Sequence, residues 1–171
     1  MKRFTLHGTF INVFSTGTLM MGPAGIGKSL IALDLIDRGH QLIADDIVEC
    51  EQENQKLIGK CPLVLQDFLE TRCLGILNIR KLYHDKAITK QKSIDLIIEL
   101  TKHPTIEFNR NSNPFYQKDL SGFFIPALTL CALHSQNIGL QIETAVKNFN
   151  LQTQGYFAHQ TLINHCEQVL Q

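Results

Sequence analysis

Gly22-Pro23-Ala24-Gly25-Ile26-Gly27-Lys28-Ser29 constrains the fold more than any other stretch of this chain. Two glycines with four residues between them, followed by Lys and Ser, form a phosphate-binding loop pattern. Gly22, Gly25 and Gly27 can take positive φ, and without a Cβ they let backbone N–H groups close around a phosphate. Lys28 supplies a point charge for β- and γ-phosphates, and Ser29 a hydroxyl for Mg²⁺. So short a pattern also arises as a glycine-rich turn with no ligand, so the flanks decide. Gly17-Thr18-Leu19-Met20-Met21 reads as the end of a buried strand. Ser29 to Arg38 carries apolar residues at helical spacing, with Gly39 as the stop. Strand, loop and helix N-terminus together place a positive dipole end beneath the phosphates. The expectation is a chain that binds a nucleotide through residues 22–29.

At 171 residues the chain suits one domain with a proper core, and residues 1–171 are expected to form a single unit. Lys plus Arg equals Asp plus Glu, 16 each, so no overall field draws it to nucleic acid or membrane. No apolar run approaches the roughly 20 residues of a spanning helix. Thr5, His7, Thr9, Asn12 and Ser15 interrupt the region behind Lys2-Arg3, which argues against a signal peptide. Cys50, Cys61, Cys73, Cys131 and Cys166 are scattered, with no C-x-x-C pair. They read as reduced thiols of a cytoplasmic protein, and no Cys/His spacing suits zinc.

Leu6 to Phe14 and Leu19 to Met21 read as a hairpin whose second strand delivers the loop. His40 to Glu49 reads as one strand with Asp45 and Asp46 set into it, and Glu51 to Lys60 as a surface hairpin around Asn54. Pro62 to Leu69 is a connection, and Leu69 to Ile79 a strand or strand–turn. Lys81 to Lys92 is the most basic segment. It reads as a solvated loop, or one that meets an acidic partner or nucleotide phosphates. Ser93–Leu100 and Phe123–Leu133 are buried strand candidates, separated by a polar, mobile loop over Thr101–Leu120. Ile138–Phe149 and His159–Leu170 read as helices, the last with Leu162, Ile163, Cys166, Val169 and Leu170 on one face. The mix is α/β, weighted toward strands.

In a strand, Asp45 and Asp46 would point to opposite faces, so only one is expected to look into the phosphate site. That carboxylate could hold Mg²⁺ or accept a proton from an attacking hydroxyl. Alternatively the pair ends a strand and caps a turn. Glu70 and Arg72 fall on one side of their strand, where Glu70 could share Mg²⁺ with Ser29, or the two could form an exposed ion pair. His7 alone is uninformative, and Arg110 in the polar loop is by default solvated.

Taken in order, His7-Gly8, Gly22–Ser29, Arg38-Gly39-His40, Ala44-Asp45-Asp46 and Leu69-Glu70-Thr71-Arg72 resemble the catalytic domain of the bacterial HPr kinase/phosphorylase family. The resemblance covers most of the chain. It implies an α/β, P-loop-containing fold related to phosphoenolpyruvate carboxykinase. It also implies ATP-dependent phosphorylation of a serine on HPr, a small phosphocarrier protein, within a homohexamer. By that resemblance Asp46 accepts the proton of the substrate serine, Lys28 binds phosphate, Ser29 and Glu70 hold Mg²⁺, and His7 supports the site. Arg110, in Phe108-Asn109-Arg110, matches an arginine of a Tyr-Asp-Arg sequence and stabilises charge on the transferring phosphoryl.

The departures are specific. The chain is expected to lack the family's N-terminal domain, since it begins almost at the catalytic one. Cys131-Ala132-Leu133-His134-Ser135-Gln136-Asn137 replaces a Pro-Val-Arg-Pro-Gly-Arg-Asn segment tied to the reverse, phosphorolytic reaction. Loss of both arginines removes forked phosphate contacts. Cys73 stands where the family has glycine, and Lys81–Lys86 replaces a glycine-containing stretch. The expected activity is a kinase with weak or no phosphorylase function. Two other readings stay open: a nucleotide-sensing binding module whose catalysis has decayed, and a kinase of a small hydroxylated molecule.

Overall fold

Leu96, Ile97, Ile98 and Leu100 are all buried, and alternation along their strand divides them between two cores. An apolar run buried on both faces belongs in the middle layer of a three-layer packing. The structure, a computed structural model, describes residues 2–103, 112–132 and 137–169. In chain order its first elements are β1 (Arg3–His7), β2 (Thr9–Val13), β3 (Thr16–Met21), α1 (Lys28–Asp37), β4 (Gln41–Ala44), β5 (Ile47–Glu53) and β6 (Lys56–Lys60). Next come β7 (Phe68–Thr71), β8 (Gly75–Asn78), the short α2 (Ile79–Tyr83), β9 (Gln91–Ser93) and β10 (Leu96–Thr101). The chain closes with β11 (Tyr116–Leu120), β12 (Phe123–Cys131), α3 (Ile138–Thr153) and α4 (Ala158–Val169).

The middle layer is a six-stranded sheet in the order β11-β12-β10-β3-β2-β4. β10 runs parallel to both β12 and β3, and the outer pairings are antiparallel. On one face Ile11, Met20, Leu96 and Ile98 pack with Ile31, Leu35 and Ile36 of α1 and Ile142 and Val146 of α3. On the other, Phe10, Leu19, Ile97 and Ala127 meet Val48, Cys50 and Leu57 of a four-stranded antiparallel sheet, β1-β5-β6-β9. β7 and β8 form a separate two-stranded ribbon. The expected α/β class, weighted toward strands, is what this chain adopts.

The expected hairpin is β2–β3, and its two-residue turn puts Phe14 and Ser15 at φ 47 and 64. Both central residues at positive φ is the twist-matched hairpin turn, costly for a phenylalanine. Phe14 is held there by an edge contact with the His40 ring at 4.7 Å and by Lys147 Nζ 4.8 Å from its centroid. The chain before β2 is not part of that hairpin. At Gly8 it steps from one sheet to the other, where a Cβ would lie 2.6 Å from the Met20 carbonyl oxygen.

Several other expected boundaries move. His40–Glu49 is not one strand: β4 ends at Ala44, β5 starts at Ile47 in the other sheet, and Asp46 at φ 68 makes the step. Asp tolerates that left-handed geometry better than most residues. Leu69–Ile79 is the β7–β8 hairpin, running into α2. The basic segment is not all loop, because α2 reaches Tyr83 and β9 pairs with β6. The polar stretch expected as loop contains β11, whose Tyr116 and Lys118 bond Glu99 of β10. Burial raises the Glu99 carboxyl, but those two donors outweigh it and hold it below its ordinary value. The strand expected over 123–133 is β12, ending at Cys131, with Leu133 outside the described residues. α3 continues past Phe149 to Thr153. The apolar residues of α4 are not covered: none is buried, and Leu162 and Val169 are exposed.

One buried hydrogen bond joins the two long helices of the outer layer. His40 Nε2, just beyond α1, donates to Glu143 Oε1 of α3 at 2.8 Å, and Arg38 Nη1 lies 3.4 Å from Glu143 Oε2. Both partners are about one-tenth exposed or less, so removing one leaves the other a buried polar group without its hydrogen-bond partner. Glu143→Ala should therefore lower the unfolding free energy by about 1–3 kcal/mol, read as a drop in urea midpoint. Exposed Glu53→Ala should change it by less than about 0.5 kcal/mol.

Candidate nucleotide and phosphoryl-transfer site

The site lies beyond the carboxyl ends of the parallel strands β3 and β10, where open α/β sheets place ligands. Met21 ends β3 and the loop begins at Gly22, φ 150, where a Cβ would come within 2.6 Å of the Leu100 carbonyl oxygen. The loop closes on itself through Ile26 N–H to the Pro23 carbonyl at 3.3 Å. Gly27, φ 104, is the left-handed N-cap of α1 and has no side chain to cap the first-turn N–H groups. Those donors stay available for an anion. Lys28 Nζ folds back onto the Gly22 and Pro23 carbonyls at 3.0 and 3.3 Å.

Asp45 organises the floor. Ser29 Oγ lies 3.1 and 3.0 Å from its two carboxylate oxygens. Thr9 Oγ1 donates at 2.7 Å and the Glu70 backbone N–H at 3.2 Å. One buried carboxylate thus ties β2, α1 and β7 together, and its hydrogen bonds answer the cost of burying the charge. Burial pushes the neighbouring Cys61 thiol up to about 11, although the Asp45 backbone N–H favours the thiolate. Cys50 is pushed up to about 12 by burial alone.

Asp46 stands at the rim. Its backbone carbonyl accepts the Gly8 N–H at 3.1 Å, so the two points where the chain changes sheets are bonded to each other. His7 Nδ1 lies 2.7 Å from the same carbonyl and 3.2 Å from Asp46 Oδ1. Both side chains are about two-thirds exposed, as a group meeting an outside reactant must be.

One cavity of about 390 Å³ is lined by His7, Gly25, Gly27, Lys28, Ser29, Asp45, Asp46, Glu70, Arg72 and Cys73, among others. The expectation that only one of the paired acids faces the site is corrected: both sit in the bend between β4 and β5, as the alternative reading of a strand end had it, and both line the cavity. Glu70 and Arg72 both face this cavity, as their spacing predicts, although Arg72 belongs to the turn after β7 rather than to the strand. Arg110 and the segment 133–136 lie outside the described residues. Asp45's grip on Ser29 and the approach of Arg72 to Gly25 were not read from the sequence. A doubled acid after the first helix was the available signal for the first; the turn offered none for the second.

Carboxylate and hydroxyl oxygens from Asp45, Ser29 and Glu70 fit a hard divalent cation. Among the described residues no group of three or more His, Cys, Asp or Glu is arranged to hold a metal. A Mg²⁺ ion here would therefore complete its shell with phosphate and water oxygens. No described helix is long and apolar enough to cross a membrane, and all five cysteines are unpaired.

The sequence profile of the HPr serine kinase C-terminal domain matches residues 1–166. The HPr kinase/phosphorylase of Xylella fastidiosa strain M12 is 40% identical over 158 residues, covering 90% of this chain and 50% of that protein. That of Burkholderia lata is 37% identical over 154 residues, covering 90% and 48%. The chain thus spans about half the length of the curated relatives it matches. The solved structure of the Hpr(Ser) kinase/phosphatase from Coxiella burnetii superposes with a TM-score of 0.81 at 34% identity, covering 88% of this chain and 99% of that one. With its phosphate loop, paired acids and sheet order in place, this chain belongs to the HPr serine kinase C-terminal domain family.

Proposed function

We propose that this chain is a Mg²⁺-dependent protein serine kinase that transfers the γ-phosphoryl of ATP to a serine of HPr or an HPr-like phosphocarrier protein. Residues 1–171 would act as one catalytic domain in the cytoplasm, within a homohexamer, and phosphorylase activity would be weak or nil. The observation that carries this reading is the single cavity holding a phosphate loop and an exposed acid together. The names of the relatives supply the acceptor.

In this reading the loop amides of residues 22–29 and Lys28 grip the phosphates, and Lys28 exchanges its loop carbonyls for phosphate oxygens. Ser29, oriented by Asp45, and Glu70 hold Mg²⁺. When bound, Mg²⁺ neutralises charge developing on the β- and γ-phosphate oxygens. Asp46 takes the proton of the serine hydroxyl as the serine oxygen bonds to γ-phosphorus, and the bond from phosphorus to the β–γ bridging oxygen breaks to release ADP. His7 orients Asp46 through the 3.2 Å contact. Arg110 is carried over as a charge stabiliser by resemblance alone. A decayed, nucleotide-sensing module is favoured by one observation: the two arginines of the phosphorolytic segment are replaced between Cys131 and Asn137.

Incubation with γ-labelled ATP and an HPr-like protein separates the two readings. Label on serine supports the kinase, and tight nucleotide binding without transfer supports the sensor. Asp46→Asn should lower the transfer rate by about 10²–10⁴-fold with ATP affinity within about threefold of wild type. Transfer at the wild-type rate would remove Asp46 from the mechanism. Cys73 lines the cavity while Cys50 is buried with a raised pKa, so iodoacetamide should label Cys73 and not Cys50. Saturating Mg·ATP should protect Cys73, as peptide mass mapping would report.

A further inference from the structure

Arg72 carries a charge that the described structure leaves without a partner. It makes no hydrogen bond or ion pair with another described residue, whereas Arg3, Arg38 and Arg80 each pair with carboxylates. The turn joining β7 to β8 carries its guanidinium onto the phosphate loop. A Cβ on Gly25 would lie 2.8 Å from Nη2, 3.0 Å from Cζ and 3.1 Å from Nη1. Three near-equal distances mean that the planar group lies flat on Gly25, which is at φ 77. A side chain at that position would have to push the guanidinium aside.

The consequence is electrostatic. A guanidinium lying face-down keeps its N–H donors in the plane, directed along the loop surface. Arg72 also lines the same cavity as Gly25, Lys28, Ser29 and Asp46. Lys28, the other cation of the cavity, already bonds the loop's own carbonyls. A planar fork without a counter-ion, beside backbone donors that await an anion, matches two oxygens of a phosphoryl group better than a point charge does. The turn carrying Arg72 is tied to the catalytic floor, because the Glu70 N–H bonds the carboxylate that holds Ser29. The fork and the Ser29 hydroxyl therefore line one cavity from two elements.

We propose that Arg72 contacts the terminal phosphoryl group of the bound nucleoside triphosphate, from its seat on Gly25, and stabilises the charge on that group during transfer. This rests on the kinase reading above and adds a second arginine to the one carried over by resemblance. It also assigns Gly25 a reason distinct from loop curvature: a side chain there would displace the guanidinium.

Calorimetry on the full chain with Mg²⁺ and either ADP or the non-hydrolysable imido analogue of ATP tests it. Arg72→Gln should weaken the triphosphate analogue on the order of 10- to 100-fold while changing ADP by less than about threefold. Arg72→Lys should recover part of the loss, since it restores charge without the fork. The nucleotide-free melting temperature of Arg72→Gln should match wild type, because the side chain is exposed and unpaired. Equal losses for both nucleotides, or no loss for either, would overturn the assignment while leaving the nucleotide site intact. Failure of folded wild-type protein to bind either nucleotide would remove the kinase reading itself, and this contact with it.

Discussion

A single buried carboxylate holds the site together. Asp45 accepts hydrogen bonds from Thr9, Ser29 and the Glu70 backbone, which come from three elements that share no local sequence. Desolvating a carboxylate is expensive, and the expense is met only when several donors surround it. The same bonds that stabilise the ion therefore fix β2, α1 and β7 relative to one another. The phosphate loop and the ribbon carrying Glu70 are consequently tied into one corner, an arrangement that would suit the proposed phosphoryl transfer, in which positioning and electrostatics do most of the catalysis.

The local part of this arrangement was legible in the sequence. A strand, a glycine loop and a helix follow one another within Thr16–Asp37, and each announces itself through period, composition or conformational need. The central strand β10 was equally plain, since a run buried on both faces has little to alternate. Asp45 was not legible in the same sense. Its partners sit 36 residues before it and 25 after it, and nothing in a linear reading selects Thr9 over its neighbours. The strand break at Asp45 and Asp46 was legible only as the alternative reading, a pair that ends a strand and caps a turn, because the flanking residues are apolar enough to continue one strand. Only the left-handed φ of Asp46 turns the chain into the other sheet. β11 was missed for the opposite reason: Tyr116, Gln117, Lys118 and Asp119 look like loop, and only the pairing with β12 and the bonds to Glu99 make them a strand.

Neutral net charge is compatible with the proposed anion site. Asp and Glu balance Lys and Arg over the whole chain, yet the distribution is uneven. Around the cavity Asp45 is engaged with hydroxyls and a backbone donor and Asp46 with an imidazole, while Lys28 rests on weak carbonyl acceptors and Arg72 on a glycine. Local potential follows from which charges are already answered, and a chain-wide sum does not report it.

The hydrogen bond between Gly8 and Asp46 has a mechanical consequence. It joins the two crossings by which the backbone leaves one sheet for the other, so the exposed acid rides on the seam between the layers while its neighbour Asp45 is anchored beneath. Any sliding of one sheet over the other would move Asp46 and His7 as a pair, with the phosphate loop left behind. Alignment of the two layers and alignment of the two halves of the site are thus a single degree of freedom.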